Sequence, residues 1–190
     1  MDGIISAFVR IRQMAHPVMQ GLAPIKFEFE FAWTRTSLSI MELVEVTKKT
    51  RDEWLAQAVR LERKSFSKSD SLGQRLVEEA MKPHNTLVLA VGTQDATVHG
   101  YILFRRNGAE GHIDRIAVAQ HQRRQGVGRR LLQTAITVLQ KKRAMMLLLE
   151  ADTANLAALS LYDSQGFIRT IVRVDYYKPG RHAQLMELEL

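Results

Sequence analysis

The chain has 190 residues, 46% of them hydrophobic, which is enough for one well-buried domain and too few for two ordinary ones. It contains no cysteine, so disulfides, thiolate metal sites and a cysteine-bound acyl intermediate are excluded. A formal charge of +7 favours an anionic ligand, but the basic residues are interspersed with acidic ones and lack the aromatic interleaving typical of nucleic-acid binding. The apolar runs are too short to cross a bilayer. We therefore expect neither a nucleic-acid nor a membrane partner.

The first 40 residues differ from the rest and are predicted to form an N-terminal extension, partly disordered or contributing an added strand. In the stretch 27–31, three phenylalanines alternate with two glutamates, which is the period of a half-buried strand. The extension contains arginine and few acids, which leaves organelle targeting open beside the cytoplasmic location that we expect. Residues 41–190 are predicted to form a single folded domain.

From residue 41 onward, strands and helices are predicted in the order strand, two helices, three strands, helix, strand, helix and two strands. The second helix is predicted to have Asp70 or Ser71 as its N-cap, and the fourth to be capped by Thr153 and to end at Gly166. This order predicts a mixed α/β fold, mostly antiparallel, with one parallel strand–helix–strand crossover in the middle. The strands are predicted at 42–46, 86–92, 97–106, 110–120, 145–151, 168–177 and 183–190, and the helices at 50–66, 70–82, 127–142 and 153–167.

The stretch "QRRQGVGRRLL", residues 122–132, joins a predicted buried strand to the first turn of an amphipathic helix. Unpaired N–H groups and a partial positive charge at a helix N-terminus bind phosphates. Gly126 and Gly128 allow a ligand to approach the backbone, and Arg123, Arg124 and Arg129 add charge suited to phosphate. The stretch lacks the Lys-Ser/Thr end of a Walker loop and the third glycine of a dinucleotide fingerprint. The stretch therefore predicts a pyrophosphate site that is neither a Walker loop nor a dinucleotide-binding loop.

The pattern R-x-x-G-x-G after a strand ending in "IAV" resembles the acetyl-CoA loop of the GNAT superfamily of N-acetyltransferases. The stretch "LLLEADTANLAALSLYDSQGF" and the later "YY" before a final strand resemble the ribosomal-protein alanine acetyltransferases and the catalytic subunits of N-terminal acetyltransferases. The resemblance covers roughly 42–190 and is most specific from residue 113 onward. It implies the three-layer GNAT fold and acetyl-CoA-dependent transfer of an acetyl group to an amine, without a metal.

The resemblance also implies which residues bind acetyl-CoA. The strand "IAV" holds the pantetheine through its backbone, the loop and helix start hold the pyrophosphate, and a later asparagine contacts the cofactor through its amide. The implied cofactor-binding residues are Ile116, Ala117, Val118, Arg123, Arg124, Gln125, Gly126, Val127, Gly128, Arg129, Asn155 and Tyr162.

Acetyl transfer requires a neutral amine and a proton for the departing thiolate, and a chain without cysteine is expected to use direct attack. Glu150 ends an apolar strand where the sheet should open, and it is the predicted general base; Tyr162 is the predicted general acid. His112, Tyr176 and Tyr177 are the predicted substrate-binding residues, with His112 also a candidate second base. Because adjacent strand residues point to opposite faces, only one of the two tyrosines should hold the substrate. For each residue a purely structural role is the alternative.

The acceptor is expected to be a protein N-terminus. An α-amine has a pKa of about 8, whereas that of lysine is about 10.4, so a single modest base suits the α-amine better. A lysine or small-amine acetyltransferase stays open as the second interpretation, and a non-catalytic CoA- or nucleic-acid-binding module as the third. The resemblance further implies a ribosomal or auxiliary-subunit partner.

Overall fold

The computed structural model describes residues 41–190, and the expectations for residues 1–40, including a strand at 27–31, lie outside them. Within the described part, the chain alternates between strands and helices in the predicted order. A short 3-10 turn at Gln120–Gln122 precedes the third helix. The strands are β1 (Met41–Glu45), β2 (Asn85–Gly92), β3 (Val98–Asn107), β4 (Glu110–Val118), β5 (Met146–Asp152), β6 (Ile168–Lys178) and β7 (Arg181–Glu189), and the helices are α1 (Asp52–Ser65), α2 (Arg75–Ala80), α3 (Val127–Lys141) and α4 (Leu156–Asp163).

The seven strands form one sheet in the order β1-β2-β3-β4-β5-β7-β6. Neighbouring strands are antiparallel except β4 and β5, which are parallel and are connected through α3. This is the mixed α/β sheet with a single strand–helix–strand crossover, and the sequence prediction of the fold class is confirmed. None of the helices in residues 41–190 is long and apolar enough to cross a membrane.

Each face of the sheet carries its own buried core, which gives three layers. Because side chains alternate along a strand, Tyr101 and Leu103 of β3 pack under α1 and α2, whereas Ile102 and Phe104 pack under α3. The predicted apolar stripe of α3 is buried as expected along Val127, Leu131, Leu132, Ala135 and Leu139. The helices α1 and α2 therefore cover one face of the sheet, and α3 covers the other.

The sheet opens between β4 and β5. Their pairing runs from Glu110 opposite Met146 to Ile113 opposite Leu149 and stops there. Beyond that point, β4 stays paired with β3, and β5 stays paired with β7. Asp114 is an extra residue in the β3–β4 ladder, since Ile113 and Arg115 pair with consecutive residues of β3. A bulge of this kind bends and twists its strand, so it accounts for the divergence of β4 from β5.

The second helix begins later than predicted. It starts at Arg75 with Gln74 as its N-cap, so the prediction of Asp70 or Ser71 as the cap is wrong. The Asp70 side chain instead binds Arg181 of β7. A positive φ of 55° at Gly73 interrupts any helix that would begin at residue 70. Residues 66–74 are consequently a loop, called the α1–α2 loop below.

The fourth helix also has a different cap. The Oδ1 atom of Asn155 accepts a hydrogen bond from the Ala158 N–H at 3.1 Å, so Asn155 and not Thr153 is the N-cap of α4. The Thr153 N–H donates to His182 O at 3.2 Å, which ties it to the neighbouring strand. The helix ends at Asp163, before Gly166.

Candidate active site at the opening of the sheet

The opening exposes one edge of β4. The Ala119 N–H donates to His99 O of β3 at 2.8 Å, whereas Val118 O accepts from Arg123 Nε at 3.2 Å. Because successive residues direct their backbone groups to opposite edges of a strand, Ile116 and Val118 direct theirs toward the opening and Ala117 directs its toward β3. The backbone of residues 116 and 118 is therefore placed to pair with an extended ligand.

The N-terminus of α3 lies directly after this edge. Gly126 is the N-cap, with a φ of 81°, and the Arg130 N–H donates the first helical bond to Gly126 O at 3.0 Å. The N–H groups of the preceding residues, Gly126 to Arg129, thus have no acceptor in the helical ladder. A Cβ atom built on Gly126 meets no atom within 4 Å. The glycine supplies a left-handed backbone and leaves the space in front of the helix open.

The remaining loop residues divide between packing and exposure. A Cβ atom on Gly128 would approach Leu161 Cδ2 of α4 to 3.3 Å, so this glycine permits close helix packing. Val127 is buried in the α3 core and can offer a ligand only its backbone. The Nε atom of Arg123 donates a hydrogen bond to the Val118 carbonyl, while Arg124, Gln125 and Arg129 have exposed side chains. The predicted residues therefore all lie at the start of α3, but Val127 and Gly128 pack against the core while Arg124, Gln125 and Arg129 expose their side chains.

Glu150 is the first residue of β5 beyond the last β4–β5 pair, and its side chain is only 10% exposed. Its Oε2 lies 2.7 Å from His112 Nε2, and its Oε1 lies 3.0 Å from Arg173 Nη1 of β6. The other ring nitrogen of His112, Nδ1, lies 3.1 Å from Asp114 Oδ1. Asp114 also forms an ion pair with Arg105. The structure thus brings Glu150 and His112 together and adds the bulge residue Asp114 to them.

His112 stands between two carboxylates but favours its neutral form. Burial of the imidazole is the main cause of its lowered pKa, the positive charge of Arg105 adds to it, and Glu150 opposes both. A neutral imidazole has one N–H and can donate to only one of the two carboxylates. Uptake of one proton at His112 completes both hydrogen bonds. The arrangement of Asp114, His112 and Glu150 can therefore accept a proton from a neighbouring group.

Tyr177 contacts this group, and Tyr162 of α4 lies close enough to Tyr177 to interact with it electrostatically. Tyr162 of α4 is buried, its ring lies 5.7 Å from that of Phe167, and burial followed by the charge of Tyr177 raises its pKa well above the ordinary value. The Tyr177 hydroxyl donates to Glu150 O at 3.2 Å, and burial is the main cause that raises its pKa to about 12. Both hydroxyls stay protonated at neutral pH and can act as donors. Tyr176 is 47% exposed and lies edge-on to Tyr177, so only Tyr177 faces Glu150.

The α1–α2 loop is tied to the opposite side of the opening by charge. Arg181 of β7 binds Asp70 of the loop and Asp152 at the end of β5. The contact with Arg181 is the main cause that lowers the pKa of Asp70. Burial raises the pKa of Asp152, but hydrogen bonds from Arg181 and the Ala154 N–H outweigh it and leave that pKa below its ordinary value. The guanidinium also lies 4.6 Å from the centre of the Tyr177 ring. Arg181 therefore connects the loop, β5 and Tyr177.

A buried carboxylate holds the same loop from within. Glu62 of α1 is fully buried; its Oε1 accepts the Leu72 N–H of the loop at 2.7 Å, and its Oε2 binds the Tyr101 hydroxyl. The sequence analysis did not identify Glu62, nor the ion-pair residues around the opening. No local motif marks any of them, because most of their partners lie in other elements of the fold. The residues missed in this way are Asp70, Arg105, Asp114, Asp152, Arg173 and Arg181.

The sequence model of the acetyltransferase (GNAT) family matches residues 50–167. The chain belongs to this family. It is 41% identical over 68 residues to the [ribosomal protein bS18]-alanine N-acetyltransferase of Escherichia coli, which is 36% of this chain and 46% of the relative. It is 36% identical over 67 residues to N-alpha-acetyltransferase 30 of Saccharomyces cerevisiae, or 35% of this chain and 38% of that protein. The aligned stretches thus span less than half the length of these two relatives.

Solved structures share the fold over a longer stretch. The crystal structure of the E. coli ribosomal-protein-S18-alanine N-acetyltransferase superposes with a TM-score of 0.68 at 24% identity, covering 79% of this chain and 94% of that one. A GNAT family acetyltransferase from Elizabethkingia anophelis with acetyl-CoA bound superposes with a TM-score of 0.62 at 20% identity, covering 79% of this chain and 98% of that one. These similarities show that the mixed sheet is the fold of known acetyltransferases.

The residues around the opening fit CoA. An exposed strand edge suits an extended chain with amide groups, and the open start of α3 suits a diphosphate; CoA carries both in that order. Among residues 41–190, no group of three or more His, Asp and Glu side chains is arranged to hold a metal ion.

Proposed function

We propose that the protein transfers an acetyl group from acetyl-CoA to the α-amine at the N-terminus of a polypeptide, by direct attack of the amine. The observation that carries this proposal is the Asp114–His112–Glu150 group, which lies at the point where β4 and β5 separate. A group that can accept a proton, beside the strand edge that fits CoA, supports direct attack by an amine. The names of the two sequence relatives, an alanine N-acetyltransferase and an N-alpha-acetyltransferase, support the choice of acceptor.

The proposed cofactor site runs from the strand edge to the start of α3. Ile116 and Val118 hold the extended part of CoA through their backbone, and the N–H groups of residues 126–129 hold its pyrophosphate with help from the exposed arginines. The amide nitrogen of Asn155 has no partner among the described residues and can donate to the cofactor while Oδ1 caps α4. Bound acetyl-CoA supplies the thioester whose acetyl group is transferred.

Proton transfer is assigned to residues on either side of the opening. Glu150 and neutral His112 accept the proton that the attacking amine loses, and Asp114 then stabilises the imidazolium through Nδ1. Tyr162, whose raised pKa keeps its hydroxyl protonated, donates the proton required by the thiolate that leaves. Tyr177 holds the Glu150 backbone and lies where the substrate's first residue must bind. The transfer then needs no covalent intermediate on the protein.

The acceptor can be tested with two matched peptides and acetyl-CoA. One has a free N-terminus and no lysine; the other has a blocked N-terminus and a single lysine. Mass spectrometry should detect acetylation of the first peptide and little of the second, because the α-amine loses its proton about 2.5 pH units earlier than lysine. Acetylation of the lysine peptide alone would favour a lysine acetyltransferase. Full turnover by a Glu150→Gln, Tyr162→Phe double variant would contradict the assigned residues.

Two further predictions belong with this function. A polypeptide acceptor that emerges from synthesis would place the enzyme in the cytoplasm and near the ribosome, with or without an auxiliary subunit. The association with ribosomes can be tested by a pull-down that compares the full chain with a chain lacking residues 1–40.

A further inference from the structure

A row of ionisable side chains crosses four strands at the opening of the sheet. From β3 to β6, its members are Arg105, Asp114, His112, Glu150 and Arg173. Arg105 binds Asp114, and the two ring nitrogens of His112 lie 3.1 Å from Asp114 Oδ1 and 2.7 Å from Glu150 Oε2. At the other end, Arg173 Nη1 lies 3.0 Å from Glu150 Oε1. The imidazole is therefore flanked by two carboxylates, and each carboxylate is flanked by one arginine.

The two carboxylates alone would protonate His112 before an acceptor arrives. A negative charge at hydrogen-bond distance favours the imidazolium, and one lies on each side of this ring. An imidazolium has no free lone pair for the proton of an attacking amine. The group can accept that proton only if the two negative charges are offset.

The two arginines offset these charges. Two guanidinium groups balance two carboxylates, so the row with a neutral imidazole has no net charge. The side chains of Asp114 and Glu150 are only 20% and 10% exposed, and partly buried charges are screened less than charges on an open surface. The lowered pKa of His112 agrees with this arrangement, since burial lowers it most, Arg105 next, and Arg173 acts in the same direction.

Other charged side chains near the opening have partners of their own. The Tyr177 hydroxyl stays protonated at neutral pH and donates to the backbone O of Glu150. The charge on His112 is therefore decided within the row. The remaining contacts are Arg181 with Asp70 and with Asp152, and Arg115 with the Asp70 carbonyl at 2.9 Å.

We infer that Arg105 and Arg173 are positioning residues for proton transfer, which compensate the two carboxylates and keep His112 neutral until the acceptor amine binds. The inference rests on the proposed function, because it takes His112 to receive the proton that the amine loses. Arg105 acts through Asp114, and Arg173 acts through Glu150. With both arginines in place, the imidazole is ready to accept a proton at neutral pH.

The variant Arg173→Gln removes the charge at one end of the row. His112 should then take up a proton at higher pH, so the variant should lose most activity in acid. The ratio of kcat/KM in the variant to that in the wild type should be about fivefold lower at pH 5.5 than at pH 9. This ratio cancels the titration of the substrate amine, which is the same for both enzymes. A purely structural role would lower the ratio equally at every pH and would overturn the inference.

The other end of the row is tested in the same way. Arg105→Gln should also give a ratio that falls toward acid, because it leaves the charge of Asp114 uncompensated. A ratio that does not change with pH in either variant would contradict the compensation of both carboxylates. Arg173→Lys keeps the positive charge, so its ratio should vary less than about twofold over the same range.

The matched control is Arg169→Gln, on the same strand as Arg173. The two arginine side chains are 47% and 46% exposed, and Arg169 binds Asp163 at 2.6 Å instead of a carboxylate of the row. Its ratio should stay level from pH 5.5 to pH 9. A fall toward acid in this control as well would indicate a general effect of the protein's net charge and would count against the inference.

An NMR titration of the imidazole signals separates this inference from the proposed function, because it needs neither acetyl-CoA nor an acceptor. The His112 signals are assigned by their loss in His112→Gln, and the same spectra show whether each variant is folded. The midpoint should move to higher pH in Arg105→Gln and Arg173→Gln, but not in Arg169→Gln. If it moves and no free α-amine is acetylated, the proposed function fails and the charge compensation stands. If amines are acetylated and neither the midpoint nor the ratio moves, the inference fails and the function stands.

Discussion

The two sides of the opening are built from different kinds of contact. The α3 side, which fits CoA, consists of one strand end, one loop and one helix start that are continuous in the chain. The α1–α2 side assembles charged groups from the α1–α2 loop and the five strands β3 to β7, joined in part by Arg173 and Arg181. Cofactor binding is therefore a local property of the sequence, whereas acceptor binding depends on contacts between distant segments. The following variants test whether the two sides can be changed separately.

The largest effect is expected from Glu150→Gln. The amide keeps the size of the side chain but cannot accept the amine proton, so kcat should fall by about 100-fold or more. The affinity for CoA, measured by calorimetry, should stay within twofold of the wild-type value. Glu110→Gln, an exposed position on β4, is the matched control and should leave kcat unchanged. An equal loss of CoA affinity in Glu150→Gln would show that the two sides are not separable.

The next largest effect is expected from Gly126→Val, on the α3 side. A β-branched residue at a φ of 81° costs about 1–2 kcal/mol, and relief of that strain would move the helix start. The Kd for CoA should rise about tenfold or more, with the same acceptor preference as the wild type. The control is Arg130→Ala, which removes an exposed hydrogen bond from Nη2 to Met41 O and should leave the Kd unaltered. A similar rise of the Kd in both variants would contradict the prediction that the backbone at the start of α3 binds CoA.

The pH profile should show the lowered pKa of His112. Only the neutral imidazole accepts a proton, so kcat/KM should rise with pH through a value below the ordinary histidine pKa of about 6.5. A separate rise near pH 8 belongs to the α-amine of the substrate. In His112→Gln, the rate should fall about tenfold and the acidic limb should disappear. Persistence of that limb in the variant would assign it to another group.

The smallest effect is expected from Asp70→Asn. The substitution removes one of the two carboxylates on Arg181 and loosens the α1–α2 loop, so the KM for the acceptor peptide should rise about threefold without a change in CoA affinity. Asp163→Asn is the matched control, because it also breaks an Asp–Arg pair, with Arg169 at 2.6 Å, away from the opening. A rise in the acceptor KM in both variants would indicate a general loss of rigidity.

The sequence predicted the parts of this structure that depend on neighbours in the chain. Periodicity predicted the order and type of the strands and helices, and the glycines predicted the helix start after β4, because both signals lie within a few residues. The position of Glu150 followed from the end of an apolar run. Its partner His112, 38 residues away, could be proposed as a candidate but not joined to it.

The errors lie where distant residues compete for a side chain. Asp70 has the composition of a helix cap, but Arg181, 111 residues later, takes its carboxylate and leaves α2 to start at Arg75. The bulge at Asp114 has no local signature either, although it opens the sheet and places a carboxylate on His112. Tertiary contacts therefore decided these positions against local propensity.

The short parallel ladder between β4 and β5 has a mechanical consequence. Among the described strands, its four residue pairs are the only pairing that joins β1–β4 to β5–β7. A small rotation about this ladder changes the width of the opening at residues 114–118 and preserves every hydrogen bond within either antiparallel half. The hydrogen bonds of the sheet thus leave the width of the site to side-chain packing, since one buried cluster under α3 joins Phe104 and Ile113 of one half to Leu149 and Met186 of the other.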